Sequence, residues 1–501
     1  MPDLSGIQPF QFACQGGLVL NQSTFAMQPG FATELINFEP DINGGYRRIN
    51  GFAKYNTNIV PQTSSSSEKV LMVASFGSQV IAARGEKIFK GDTSGSWTEI
   101  DSGRSSAGKY THKRFNFNNT NKIVFADGAN PASTFDGTNI VDITHSSAPN
   151  NPAFVEVFQN HLFLAGDSTT PQEVFFSVPF NETSFASADG AGSIKIDDTV
   201  VALKVFRDQL YIFGKERIFK LKGTSSSTFA LEPVTRDIGC RSTFSVQEFA
   251  GDLLFLAPDG LRTIAGTEKI DDVELGTISK PVQARFDALT SFDLIESLVI
   301  PAKTQYRIFF VNSTASEANT TGIIAGIKEQ GIEFAELRGI RPSCTDSDTS
   351  ATNDLIIHGG FDGFVYKQES GNDFDGVQIN GKYRSPDITM GDAGVRKNMQ
   401  RVIINYATES AINADLFLRY DYETAGSTRP AAYPFDSSNI AAIYGTSVYG
   451  TATYGGNRQP LLRQPVEGSG FAVALRVNDG GTSAPYSLKG FQLEFTVGAR
   501  R

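Results

Sequence analysis

The chain is poor in the residues that carry most thiol and metal chemistry. Its 501 residues include three cysteines and four histidines. Cys14, Cys240 and Cys344 are far apart, odd in number and form no CxxC pair. That spacing excludes a disulfide framework and a structural zinc site, and favours a reducing compartment. His112, His145, His161 and His358 fall in no HExxH or HxE motif and near no cysteine at metal spacing. The expectation is therefore no metal, no cofactor and structural or exposed histidines. GxSxG and GxxxxGK[ST] are also missing. No stretch approaches the roughly 18 consecutive apolar residues of a membrane span. The first residues, MPDLSGIQPFQFACQGG, lack a basic segment and an apolar core, so no Sec-type leader is expected.

Excess positive charge is missing too. The formal net charge is -10. Tight nucleic-acid binding is driven by counterion release and usually needs a basic surface. Static, specific binding to DNA or RNA is thus disfavoured. A hydrophobic share of 40% with 20% charged residues gives the balance of a soluble, core-forming chain.

What is abundant is glycine, at 48, and phenylalanine, at 39. Glycine tolerates the positive φ of tight turns, and aromatic side chains suit a pleated face. One phrase recurs: a polar turn, three to five apolar or β-favouring residues, then usually glycine. It is written as SQVIAARG (78–85), NKIVFADG (121–128), NHLFLAGD (160–167), DQLYIFGK (208–215), GDLLFLAPDG (251–260), TQYRIFFV (304–311) and NDLIIHGGFDG (353–363). The first apolar residues, from Val80 to Leu355, are spaced 43, 39, 48, 43, 53 and 49 apart. Short strands at a period of about 40–50 residues predict a β-propeller, whose blades bury one another's faces around an axis. The reading is all-β, with six to eight blades and seven favoured, over residues 66–382.

One segment departs from the strand pattern. In GTISKPVQARFDALTSFDLIES (276–297), Ser279 reads as an N-cap, Pro281 lies in the first turn, and Val282, Phe286 and Leu289 share a face. This predicts one short inserted helix. Residues 1–65 do not follow the repeat and read as an N-terminal arm that lends a strand to the last blade. From about residue 383 the strands lengthen. In FQLEFTV, Phe491, Leu493, Phe495 and Val497 share one face while Gln492, Glu494 and Thr496 share the other. One dry and one wet face predicts a C-terminal β-sandwich over 383–501. Within it, IAAIYGTSVYGTATYGGNRQ (440–459) places Tyr444, Tyr449 and Tyr454 at a five-residue step that fits neither helix nor strand. It reads as an exposed Tyr/Gly-rich loop.

Candidate contact residues follow from exposure and charge. The three tyrosines suit contact with a partner. The basic pairs Arg47-Arg48 and Arg396-Lys397 read as solvated surface or as contacts that set register against an acidic neighbour. DSDTSATND (346–354) lacks the glycine and terminal glutamate of a calcium loop and reads as a solvated loop.

Four stretches carry a resemblance: PGFATELINFEPDINGGYRRINGFAKY (29–55), FRDQLYIFGKERIFKLKG (206–223), DIGCRSTFSVQEFAGDLLFLAPDGLRTIAG (237–266) followed by ISKPVQARFDAL, and YRSPDITMGDAGVRKNMQRVIINY (383–406). Here the chain resembles the tail nozzle or hub proteins of short-tailed bacteriophages, also described as DNA-stabilising tail proteins. The resemblance implies a structural virion component with no catalytic residues, made in the host cytoplasm. It implies a ring, usually of six copies, below the portal and its adaptor and beside other tail components such as fibres. Viral DNA would pass transiently through the ring without specific binding. A lumen of negative charge would repel DNA, so reversing its carboxylates to lysine should slow genome release. The alternative is a propeller that binds or hydrolyses host-surface glycans. A retaining hydrolase would need two carboxylates about 5 Å apart, and with 54 acidic residues the sequence always offers a pair.

Overall fold

The computed structural model describes residues 6–62, 69–106, 108–265, 277–289, 295–310, 319–328, 331–348, 354–408, 412–423, 430–436 and 461–500. The fold is all-β, with a β-propeller, a sandwich-like part and one short helix. Six separate sheets form blades. Blade 1 begins with Val70–Phe76, blade 2 with Thr111–Phe117, blade 3 with Phe154–Phe158, blade 4 with Val200–Phe206, blade 5 with Gln247–Phe249 and blade 6 with Cys344–Asp348. Each opening strand lies innermost, beside the axis. Between blades 5 and 6 a further axial position is filled by Ile295–Ile300. That strand starts a nine-stranded sheet whose first four strands are blade-like and whose remainder belongs to the sandwich.

The recurring phrase has a physical origin. In every copy it forms the second strand of a blade or of the nine-stranded sheet: Gln79–Arg84, Thr120–Ala126, His161–Ala165, Gln209–Gly214, Asp252–Ala257, Gln305–Phe310 and Leu355–Gly359. In blades 1 to 5 the residues before it are two-residue hairpin turns. Asn118 and Asn119, Gln159 and Asn160, Arg207 and Asp208, and Ala250 and Gly251 all have positive φ. Two successive left-handed residues make the turn whose twist matches paired strands. The phenylalanine ahead of each of these turns closes the ladder: Phe117 pairs with Thr120, Phe158 with His161, Phe206 with Gln209 and Phe249 with Asp252.

Ala250 is the poorest fit among these turns, since alanine at φ 53° carries a Cβ that the left-handed region disfavours. Ala250→Asn creates the Asn-Gly turn and should raise stability by about 0.5–1 kcal/mol. A higher urea midpoint at unchanged slope would register it.

Apolar cores sit between neighbouring blades rather than within them. Ile81, Ile123 and Phe125 join blades 1 and 2. Val124, Leu162 and Leu164 join blades 2 and 3, and Phe163, Leu210 and Ile212 join blades 3 and 4. Val80, Ile357 and Val365 join blade 6 back to blade 1. The ring is closed by the N-terminal segment: Phe52–Lys54 is the outer strand of blade 6 and pairs with Val365–Gln368.

The remaining N-terminal strands belong to the sandwich. Ile7–Ala13 pairs along Tyr486–Arg500, and Tyr46–Arg48 pairs with Ser487 and Leu488. Glu34–Ile36 sits between Gly331–Leu337 and Gly381–Arg384, so this one short strand fuses the propeller-side half of the nine-stranded sheet to the sandwich half. A seven-stranded sheet containing Val395–Thr408 and Tyr486–Arg500 packs against it over one large core that includes Phe38, Tyr306, Tyr383 and Phe491.

Two local expectations need correction. Val497 does not share the buried face of Phe491, Leu493 and Phe495; it is 49% exposed, because the core ends before the strand does. The helix is shorter than its apolar spacing implies: a 3-10 turn Lys280–Val282 runs into α1, Gln283–Asp287. Ser279 does not cap it through its side chain. Its hydroxyl instead donates to Gln283 Oε1 and accepts from the Leu261 amide, tying the turn to blade 5.

Candidate functional site

Charged residues gather where the innermost strands converge. A cavity of about 480 Å³ lies on the propeller axis, reached by all six blades and by Ile295–Ile300. An inner strand has one side facing its own blade's neighbours and a narrow side facing the hole, so a polar residue there is hidden without being in an apolar core.

Arg114 of blade 2 holds Asp346 of blade 6 with Nη2 2.8 Å from each carboxylate oxygen, and its Nη1 lies 3.1 Å from Asp348. Ser75 of blade 1 completes the corner. Its amide and hydroxyl donate to Asp346 at 2.8 and 3.0 Å, and its hydroxyl also reaches Asp348 at 2.9 Å. His112 Nε2 lies 3.2 Å from Asp346. Three blades are thereby tied through one carboxylate. Burial pushes the Asp346 carboxyl up, but His112, Arg114 and the Ser75 amide outweigh it and hold the group well below the usual carboxylate range.

Further charged residues of the belt are paired as well. Lys113 meets Glu156 of blade 3 at 2.5 Å. The other Glu156 oxygen accepts from the Val205 amide of blade 4 at 3.4 Å. Lys109, ahead of blade 2, pairs with Glu296 on Ile295–Ile300 and sits 3.6 Å from the centre of the Phe244 ring. Burial pushes the Lys109 ammonium down to about 7. Thr345 donates to Glu296 at 3.0 Å. The axis is therefore crossed by the Arg114 pairs between blades 2 and 6, which are not neighbours, and by Lys109 reaching Glu296.

This belt gives a pH dependence with a defined sign. The folded Asp346 value lies below its ordinary 3.8, so its stabilisation is complete above that value and drains away as pH falls below it. Asp346→Asn should cost roughly 1–3 kcal/mol at neutral pH, through weakened charge-assisted hydrogen bonds. It should also flatten the fall of stability below about pH 4. Urea unfolding across that pH range reads both effects.

Asp346 and Asp348 correct the expectation of a solvated loop at 346–354. Both are buried on the strand Cys344–Asp348. The alternation of Cys344, Asp346 and Asp348 toward one side was the available signal, and the polar character of the inward residues masked it.

The other expected contact residues are scattered. Arg48 is 0% exposed. Its Nε lies 3.3 Å from Asp479, and its terminal nitrogens donate to the carbonyls of Ser483, Gly481 and Asn372. It is an internal latch, not a surface contact. Arg47 pairs with Glu39 at 3.2 Å and donates to Asn50. Lys397 is buried, donating to the carbonyls of Asp392 and Phe471, and burial pushes its ammonium down. Arg396 alone is exposed, and it donates to Ser469 Oγ and O. Tyr444, Tyr449 and Tyr454 lie outside the described residues.

Thiol and imidazole chemistry finds little support in the geometry. All three cysteines are buried and free, and burial pushes Cys240 and Cys344 to about 11, which suppresses the reactive thiolate. His358 is buried against Phe52 and Tyr366, bonded to Gln368 at 2.8 Å, and pushed down to about 3 by burial. His161 Nδ1 lies 2.6 Å from the Ser177 carbonyl. Among the described residues no cluster of three or more His, Cys, Asp or Glu could hold a metal ion. No helix among them is long and apolar enough to cross a membrane.

No protein-family model matches the chain, and no curated protein does. Among solved structures, the AfRom2 CNH domain is similar at a TM-score of 0.38 and 10% identity, over 62% of this chain and 98% of that one. At that distance the likeness carries no argument about fold or function.

Proposed function

We propose that this chain is a non-enzymatic structural subunit of a short-tailed phage virion. In this reading copies of it form a ring-shaped nozzle or hub, six to the ring, beneath the portal and adaptor and in contact with other tail components. The space between copies, not the propeller axis, conducts the genome. The observation that carries the reading is the shared sheet: Glu34–Ile36 joins propeller and sandwich in one continuous sheet, which stiffens the junction. A channel wall under load needs that stiffness. Three of the four stretches that resemble the nozzle family lie at these joints: 29–55 supplies the fusing and ring-closing strands, 237–266 leads to the helix that ties to Glu336 through Arg285, and 383–406 enters the sandwich. The axis itself is crossed by ion pairs, which suits a plugged structural propeller better than a passage.

The second reading, a glycan hydrolase, needs a carboxylic acid kept protonated beside a free carboxylate. The axial carboxylates Asp346, Asp348 and Glu156 are instead bound by Arg114 and Lys113. Mass measurement of the purified protein, alone and after mixing with tail extract, separates the readings. A closed oligomer in either condition is expected. A monomer in both, with turnover of host glycan, would refute the proposal.

A further inference from the structure

A second cavity, of about 520 Å³, opens where blade 6 meets the sandwich. Phe52, Phe361, Tyr366, Phe374 and Val377 give it an apolar wall, and Val377 is 61% exposed. Most of its charged residues are engaged. Arg338 pairs with Glu336, Asp375 pairs with Lys54, and Asp362 accepts from the Tyr366 hydroxyl and the Phe364 amide. Arg341 is half-buried and makes no ion pair or hydrogen bond with any described residue. Its guanidinium lies 3.9 Å from the centre of the Phe361 ring, and its Nε is hidden without an acceptor. Burial pushes this guanidinium down, and no carboxylate acts against that push. The cavity therefore suits an aromatic ring with a carboxylate beside it.

The chain carries such a pair at the far end of the sandwich. After Asn413–Tyr420, Asp421 and Tyr422 both have positive φ, and the turn they make leaves Tyr422 41% exposed. Asp421 is occupied by the amides of Phe471 and Ala472. The next residue, Glu423, has a carboxylate that bonds to no described residue. Arg384, at the end of Gly381–Arg384, donates to the Glu423 carbonyl, whereas the cavity lies at the start of that strand, beside Asn380. Turn and cavity thus stand at opposite ends of one strand and do not meet within a copy.

We propose that the cavity at the propeller–sandwich junction receives the Tyr422–Glu423 turn of a second copy, with the tyrosine against the apolar wall and the glutamate on Arg341. Covering Val377 and Tyr422 supplies affinity, and the Arg341–Glu423 pair sets register. Lys69, 5.7 Å from the centre of the Phe361 ring, adds to the positive side, and Asp387 and Asp421 beside Tyr422 add to the negative one. A contact between opposite ends of the same block is head-to-tail, the kind that repeats from copy to copy and closes a ring. The inference rests on the ring reading, for which it names a contact between neighbours.

The test follows assembly of the full chain by sedimentation across a range of concentrations. Arg341→Glu and Glu423→Arg should each raise the concentration of half-assembly by about tenfold or more, because each sets like charges together. The double variant should return to within about threefold of the wild type, since the swapped pair is again opposite in sign. Disulfide trapping reads the same contact where assembly is weak or a charge variant fails to fold. The double variant Val377→Cys, Tyr422→Cys should give a ladder of linked copies on mild oxidation, while either single variant stops at dimers. The three native cysteines are buried and do not compete. A ring that forms regardless of both charge changes, with no ladder, would overturn this contact and leave the ring reading standing. A chain that stays monomeric at every concentration and yields no ladder would overturn the contact as well, and the ring reading is then decided by mixing with tail extract.

Discussion

Arg307→Met is expected to cost roughly 3–5 kcal/mol of folding stability, the usual penalty for stranding buried counter-charges. Arg307 is 0% exposed on Gln305–Phe310. It reaches Glu39 at 2.9 Å on the sandwich's seven-stranded sheet and Glu369 at 2.7 Å at the end of blade 6. Lys303 bridges the same two carboxylates at 2.6 and 2.5 Å. Burial pushes the Glu369 carboxyl up, but Arg307 and Lys303 prevail and hold it below the usual range. Removing the arginine leaves two enclosed carboxylates sharing Lys303, with Arg47 reaching Glu39 alone. The triple variant Arg307→Met, Glu39→Gln, Glu369→Gln should recover at least half of the loss, because an apolar and neutral replacement strands no charge. Chemical unfolding of the two variants beside the wild type gives the comparison. Equal losses in both would mean that packing, not charge, governs this junction.

Phe52→Ala should cost roughly 3–5 kcal/mol as well, by opening a cavity in the closing blade. Phe52 lies on the strand that completes blade 6, and its ring stacks on Phe374 at 5.1 Å and meets His358 and Tyr366 edge-on at 5.0 Å. The loss should be visible locally. Amide exchange along Val365–Gln368 should accelerate far more than exchange in blades 3 and 4, because the truncated strand frays from the strand it closes against. Uniform acceleration across all blades would instead mean that the ring opens as a single unit.

The propeller was legible because its hairpin turns leave a mark in sequence. Two left-handed residues between strands demand asparagine, aspartate, glycine or a polar substitute, and a buried strand must follow, as at Gln159–Asn160 and Arg207–Asp208. The sandwich strands showed through alternation, as in Phe491, Leu493 and Phe495. Pairings between distant segments left no such mark. Ile7–Ala13 lies against Tyr486–Arg500, and nothing local in seven residues of mixed exposure records a partner more than 470 positions away. For the same reason Arg48 reads as surface, since the Asp479 and the carbonyls that enclose it come from far along the chain. The axial belt was hidden for a different reason. His112, Lys113, Arg114, Asp346 and Asp348 look solvated by type, and only the convergence of inner strands makes them interior.

Electron microscopy of the phage particle proposed to carry this chain bears most directly on the account. The account predicts a closed ring of copies below the portal and adaptor, each fitted by the fused propeller and sandwich, with the genome path between subunits and no DNA along the propeller axes. Density placing this propeller as an isolated appendage at the tail's outer surface, with no ring around the channel, would contradict it.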